Sequence, residues 1–146
     1  MGSKSNTFEN LELLHIFQNA DIANIGDAAG LQNSSAAGSL YVALCTSATV
    51  TDDATAGTVA TYSPYARIAV ARSAVGWTVT DNAVSNAAAI TFATCTSGSD
   101  TIRYFEIYTA ASGGTRLYWG QLTSDLAVGV GVAPTFAIGA LIITED

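Results

Sequence analysis

Few side chains here have the type and spacing that chemistry needs, and each candidate lacks a partner. His15 is the chain's one histidine. It sits near Glu9 and Glu12 on a predicted helix, with no nucleophile in a cleft motif, so it is expected to be a packing or interface residue. Cys45 and Cys95 fall near the ends of predicted strands. They admit two readings, a disulfide between strands or two buried thiols acting as small hydrophobes. The thiol reading is favoured, because a chain this long builds a core without staples. Two cysteines and one histidine do not make a zinc site. Glu106 alternates with Tyr104 and Tyr108, but a glycosidase needs a second carboxylate and none stands out. Glu106 is expected to face solvent or to pair with Arg103, Arg67 or Arg72. Gly26-Asp27-Ala28-Ala29-Gly30 lacks the Lys-Ser/Thr ending and the preceding strand of a phosphate loop. Asp52-Asp53 lacks the spacing of a calcium loop and reads as solvated acid. No serine elbow and no Cys-x-x-Cys occurs. No catalytic residue, cofactor or metal is therefore predicted. One constellation remains: Tyr104, Tyr108, Tyr118 and Trp119 form an aromatic row that could stack on a glycan or a protein partner, or simply fill the core.

The elements that would carry these residues are mostly strands. Residues 101–110 and 115–123 are rich in β-branched and aromatic types and are split by Ala111-Ser112-Gly113-Gly114, the mark of a hairpin. Neither face of this hairpin is strictly polar, so both are expected to be covered. A third run covers 134–144, and its residues 136–144 are apolar on both faces, as in a central strand. Upstream, strands are predicted at 40–45, 66–72, 77–80 and 88–95, with another starting at Val84 after an Asp81-Asn82 turn, and 126–132 as a bulged strand around Gly129 and Gly131. The one predicted helix covers 7–19, with Asn6 as its cap and Glu9 reaching back. Its apolar stripe is Phe8, Leu11, Leu14 and Phe17, broadened by Leu13 and Ile16. The stretch 20–38 is broken by Gly26, Gly30 and Gly38 and reads as a loop or arm lying on a partner. About seven to nine short strands, with turn signals about every 8–12 residues, predict an all-β antiparallel sandwich or jelly roll with one N-terminal helix. The expected division is 1–38 as helix and arm, and 39–146 as the β domain.

Bulk properties agree. Of the 146 residues only 12% are charged, against about 25% in a typical domain, which suggests a β protein that hides surface in an assembly. The net charge of −7 is diffuse and no basic cluster occurs, so nucleic acid is not an expected partner. No apolar run reaches membrane-spanning length and no signal-peptide pattern opens the chain, so no membrane partner is expected.

The segments IGDAAGL, SLYVALCTS, YARIAVARS followed by GWTV, SNAAAITFATC and APTFAIGALIITED occur in this order. Together they resemble a family of small tailed-bacteriophage virion proteins usually labelled tail fibre protein, which includes jelly-roll capsid decoration (cement) proteins. The likeness runs over nearly the whole chain and brings no catalytic residues. It implies a structural protein made in the bacterial host cytoplasm and carried on the virion. A fibre shaft needs repeats or a coiled coil, and the chain shows neither. The expectation is therefore a capsid-surface cement protein that contacts the major capsid protein and itself, as a homotrimer or alternatively a homodimer. Its expected contact residues are Phe8, Leu11, Leu14, Phe17, Ile22, Ile25 and Leu31. The alternative is a tail fibre or tail-tip module binding another tail protein or a host glycan through the aromatic row.

Overall fold

The computed structural model describes residues 2–50 and 57–145; Asp52 and Asp53, weighed above for calcium, lie outside the described residues. The elements in chain order are α1 (Asn6–Gln18), β1 (Ser39–Cys45), β2 (Ile68–Ala71), β3 (Trp77–Thr80), β4 (Ala83–Asn86), β5 (Ile90–Thr91), β6 (Asp100–Tyr108), β7 (Arg116–Val128), β8 (Thr135–Phe136) and β9 (Ile142–Thr144). They form sheets ordered β2-β1-β6-β7, β3-β4-β9 and β5-β8. This is the all-β antiparallel class expected of a sandwich, with α1 the one helix among the described residues. The chain divides into two compact units. One gathers Met1–Ser39, Val70–Ala89 and Phe136–Asp146; the other gathers Leu40–Ala69 and Ile90–Thr135. The N-terminal helix is thus part of a unit that also holds β3, β4 and β9.

In the first unit, α1 is capped by Ser5, one residue before the expected Asn6; the Ser5 hydroxyl accepts from the Phe8 N–H at 3.3 Å. The helix buries the line Glu9, Leu13 and Phe17, spaced four apart on one face. Phe17 meets Trp77 edge-on at 4.8 Å between centroids, and both side chains are fully buried. Each such burial contributes roughly 1.5–3 kcal/mol. The helix ends on Asn19 in the left-handed conformation, with the Ala20 N–H returning to the Leu14 carbonyl. Arg72 closes the carbonyls still open at this end. Its guanidinium donates to the carbonyls of Ile16 (2.6 Å), His15 (2.8 Å) and Ala37 (3.1 Å). A cation at a helix C-terminus also favours the macrodipole.

The expected central strand over 134–144 is interrupted. Buried Asn86 at the end of β4 donates from Nδ2 to the Ala88 and Ala137 carbonyls and accepts from the Leu141 N–H. The Gly139 N–H bonds the Asn86 carbonyl, and Ala140 turns back on Ala137 with Gly139 at φ 71°. The chain therefore wraps around one carboxamide instead of running straight. It then enters β9, an edge strand beside β4.

In the second unit, β1 and β6 are central strands and β7 is an edge. Burial follows position: β6 is closed on both faces from Tyr104 to Tyr108, whereas β7 alternates half-buried and exposed residues. The expectation that both faces of the hairpin are covered thus holds for β6 and fails for β7. Tyr104, Phe105, Glu106 and Ile107 pair with Gln121, Gly120, Trp119 and Tyr118. Gly120 is required, since a Cβ there would stand 2.5 Å from the Phe105 ring. The predicted strand 126–132 is the end of β7, which stops at Val128, and the predicted strand 88–95 shrinks to the two residues of β5. Cys45 and Cys95 are buried free thiols.

Replacing Arg72 with Met should destabilise the chain by about 3 kcal/mol, since hydrogen bonds to charged groups contribute more than neutral ones. Lys should recover only part, lacking the planar fork. Urea denaturation of the whole chain measures both; a loss below about 1 kcal/mol for Met would contradict this role for Arg72.

Candidate functional site

The densest polar chemistry in the second unit surrounds Glu106, whose side chain is fully buried. Its place in central β6 puts it opposite Ala43 of β1 and Trp119 of β7. Oε1 accepts from the Gly57 N–H at 2.7 Å and from Arg116 Nη1 at 3.0 Å. Oε2 accepts from the Tyr108 hydroxyl at 2.8 Å and from Cys45 Sγ at 3.3 Å. Donors thus come from β1, from the segment just before Val59, and from β6 and β7. Burial alone would raise the Glu106 pKa; the donations from Gly57, Tyr108, Arg116 and Cys45 outweigh it and hold the group below its ordinary value. Two of the donors, Tyr108 and Cys45, move the other way. Burial, together with the charge and hydrogen bond of Glu106, pushes the Tyr108 hydroxyl up to about 12 and raises the Cys45 thiol well above its usual range.

This arrangement keeps Glu106 charged and the Tyr108 hydroxyl and Cys45 thiol neutral. A general acid needs a carboxyl raised toward neutrality, and a nucleophilic thiol needs a lowered pKa. The cluster has neither. Glu106 does not face solvent, and its ion-pair partner is Arg116, not Arg103, Arg67 or Arg72 as expected. Arg103 instead pairs with Asp125 and donates to the Thr46 carbonyl. Arg67 lies over the Tyr108 ring, 3.6 Å from its centroid, and donates to the carbonyls of Ala110 and Gly113, pinning the hairpin connection. A shallow groove of about 350 Å³ beside it is lined by Val59, Tyr65, Arg67 and Ser112, but its cation is already engaged. Among the described residues no three His, Cys, Asp or Glu side chains gather as metal ligands.

The aromatic row does not form one platform. Tyr104 and Tyr108 are buried, while Trp119 is 39% exposed and tilted against Tyr104 at 6.1 Å. The expected contact residues also separate. Phe17 and Ile22 are core side chains, which corrects their expected role, because Phe17 packs on Trp77 and Ile22 is closed off by its bridge to Leu31. Leu11 and Leu14 are half-buried; Phe8, Ile25 and Leu31 remain exposed. Nor is 20–38 a bare arm. The Ile22–Leu31 bridge closes it, Asp27 Oδ1 accepts from the amides of Ala29 and Gly30, and Asp21 Oδ1 accepts from the Asn33 N–H at 2.6 Å. The amides that a phosphate would need already serve Asp27. His15 Nδ1 bonds the Ala20 carbonyl at 2.6 Å, a packing role as expected.

Sequence reasoning missed three residues that organise the structure: Arg72, Asn86 and Arg116. Arg116 gave a signal, being the basic residue across the hairpin from Glu106, at the start of the second strand. Asn86 gave none beyond its polarity in an apolar stretch.

A family model described as podophage GP4 fiber I protein gp80 matches residues 5–144. The chain belongs to this family of phage virion fibre proteins, which confirms the resemblance read from the sequence, and it is a structural phage protein. No curated protein matches the chain. No helix among the described residues is long and apolar enough to cross a membrane.

Replacing Glu106 with Ala should cost roughly 3–5 kcal/mol, because it strands buried donors and the Arg116 charge. The pH dependence follows from the lowered pKa. Stability supplied by Glu106 is complete above the ordinary carboxyl value of 4.5 and is lost as pH falls through the lower folded-state value. Denaturation curves between about pH 5 and pH 3 should therefore fall more steeply for wild type than for Glu106→Gln. Equal slopes would show that the carboxylate is not held this way.

Proposed function

We propose that this chain is a non-catalytic structural part of a podophage fibre apparatus, fitted into the virion by protein–protein packing. The family match over residues 5–144 carries this reading. Two features support it. The buried ionisable cluster around Glu106 is tuned for scaffold and not for proton transfer. Large apolar side chains also remain exposed in both units: Phe8, Val75, Ile138 and Ile142 in the first, Leu117, Trp119 and Val130 in the second. Exposed apolar surface of this kind suits burial against partners. The host-glycan variant of this reading loses support, because two of its four aromatic side chains are buried.

A second reading is a cement protein on the capsid surface that clamps major capsid subunits. One observation favours it: the described residues carry no shaft, since their helix has 13 residues and their strands do not repeat. Quantitative mass spectrometry of purified virions separates the two. A tail or neck fibre part should be present in about six to twelve copies, set by the ring symmetry of its attachment site, and labelled antibody should mark the tail end. Hundreds of copies spread over the head would replace the fibre reading with the cement reading. Absence from purified particles would overturn both.

A further inference from the structure

We infer that a polar groove in the first unit, between the start of α1 and the turn from β3 to β4, takes an arginine side chain presented by a partner protein. The partner rests on the packing reading proposed above; the groove itself is tested on the isolated chain.

The groove has a volume of about 480 Å³ and is lined by Asn6, Thr7, Asn10, Leu11, Asp81 and Asn82. That is within the usual size of a ligand cleft, about 300–1,000 Å³. Two asparagines fix its shape. Asn10 Nδ2 donates to the Asp81 carbonyl and Asn82 Nδ2 to the Glu145 carbonyl, both at 2.9 Å. Between them they hold Asp81 at φ 52°, a left-handed backbone uncommon outside glycine. Each asparagine spends a donor there and keeps its Oδ1 acceptor. The Asp81 carboxylate and the side chains of Asn6 and Thr7 form no hydrogen bond or ion pair among the described residues. The groove therefore collects free acceptors around one charge that nothing neutralises.

The occupant follows from what the chain does not supply. All five of its cationic side chains are committed elsewhere. Lys4 bridges Glu12 and Glu145, Arg103 pairs with Asp125, and Arg116 pairs with Glu106. Arg67 is held by the hairpin connection and Arg72 by the end of α1. None of them lines the groove, so the counter-charge of Asp81 has to come from outside the chain. The positive end of α1 does not provide it either. Ser5 already accepts from the Phe8 and Glu9 amides, and Glu9 places an acid in the first turn. Arginine fits what is left. Its guanidinium carries only donors, in a fixed fork, and so matches a carboxylate with amide and hydroxyl oxygens beside it. Its methylene stem can lie on Leu11, the apolar part of the lining, while the head reaches the acceptors. A calcium ion would need about six to eight oxygens, and the lining offers it a single carboxylate.

Nitrogen-15 NMR of the full chain, titrated with the capped tripeptide acetyl-Gly-Arg-Gly-amide, tests this. The expected result is saturable shifts confined to the amides of Asn6, Thr7, Asn10, Asp81 and Asn82, at millimolar affinity. Asp81→Asn should weaken binding about fivefold, and Asn6→Asp should tighten it about threefold by adding a carboxylate to the groove. Both variants should fold, since neither side chain bonds within the described residues and Asn tolerates the left-handed backbone. The same peptide with glutamine in place of arginine should give no saturable shift. No saturation by the arginine peptide, equal shifts with the glutamine peptide, or unchanged affinity in both variants would overturn the assignment. Saturation of the same amides by calcium chloride at lower concentration than the peptide would make the groove a metal site and overturn it as well. None of these results alters the virion copy count, which tests the packing reading separately.

Discussion

A carboxylate removed from water must be surrounded by donors, and the second unit is built around that requirement. Glu106 has no solvent exposure and accepts from Gly57, Arg116, Tyr108 and Cys45. An unpaired buried charge would cost several kcal/mol; a fully paired one costs far less and fixes geometry. Each donor lies on a different part of the fold, so satisfying one side chain registers β1 against β6, β6 against β7, and the chain near Gly57 against both. The same requirement orders the neighbours. Arg67 covers Tyr108 and ties down the hairpin connection, and Tyr108 can then hold its hydroxyl on Glu106.

The first unit solves a related problem with a different pair of side chains. Helix α1 leaves carbonyls open at its end, and a wandering segment near the C-terminus leaves amides and carbonyls open beside β4. Arg72 answers the first and Asn86 the second. In both cases one polar side chain replaces a stretch of regular hydrogen bonding. That is why short strands and a short helix suffice in a chain whose charged content is low.

How legible this was depended on whether the determining contact is local. The hairpin β6–β7, strand β1, the turn at Asp81 with β3 and β4 around it, and the helix were readable, because alternation, turn residues and apolar spacing are properties of neighbours in sequence. The thiol state of the cysteines followed from chain size. The failures were non-local. Residues 134–144 look like a strand by composition, and only the distant Asn86 bends them. Glu106 looked exposed because its alternation with Tyr104 and Tyr108 does not reveal that both faces of β6 are covered. Of the apolar stripe of α1, Leu13 and Phe17 face inward beside Glu9, while Phe8 faces out. Phe17 was expected at a partner because spacing alone does not say whether a stripe meets the chain's own core. Of the readings weighed for the aromatic row, core filling describes Tyr108, which serves the buried cluster, and Tyr104, packed inside the same strand, while Trp119 stays exposed.

The functional reading rests on the same physics. Family membership makes the chain a phage structural protein, and the interior explains how the second unit is stabilised by a buried, fully paired carboxylate. If the buried cluster is scaffold, its carboxylate must stay ionised wherever the protein is folded. The most direct measurement is the carbon-13 chemical shift of the Glu106 carboxyl, followed by NMR as pH is lowered on the folded chain. The expected shift stays at its ionised value down past the ordinary carboxyl pKa of 4.5 and changes only further down, together with loss of the fold. A carboxyl that takes up its proton near neutral pH while the protein stays folded would contradict it.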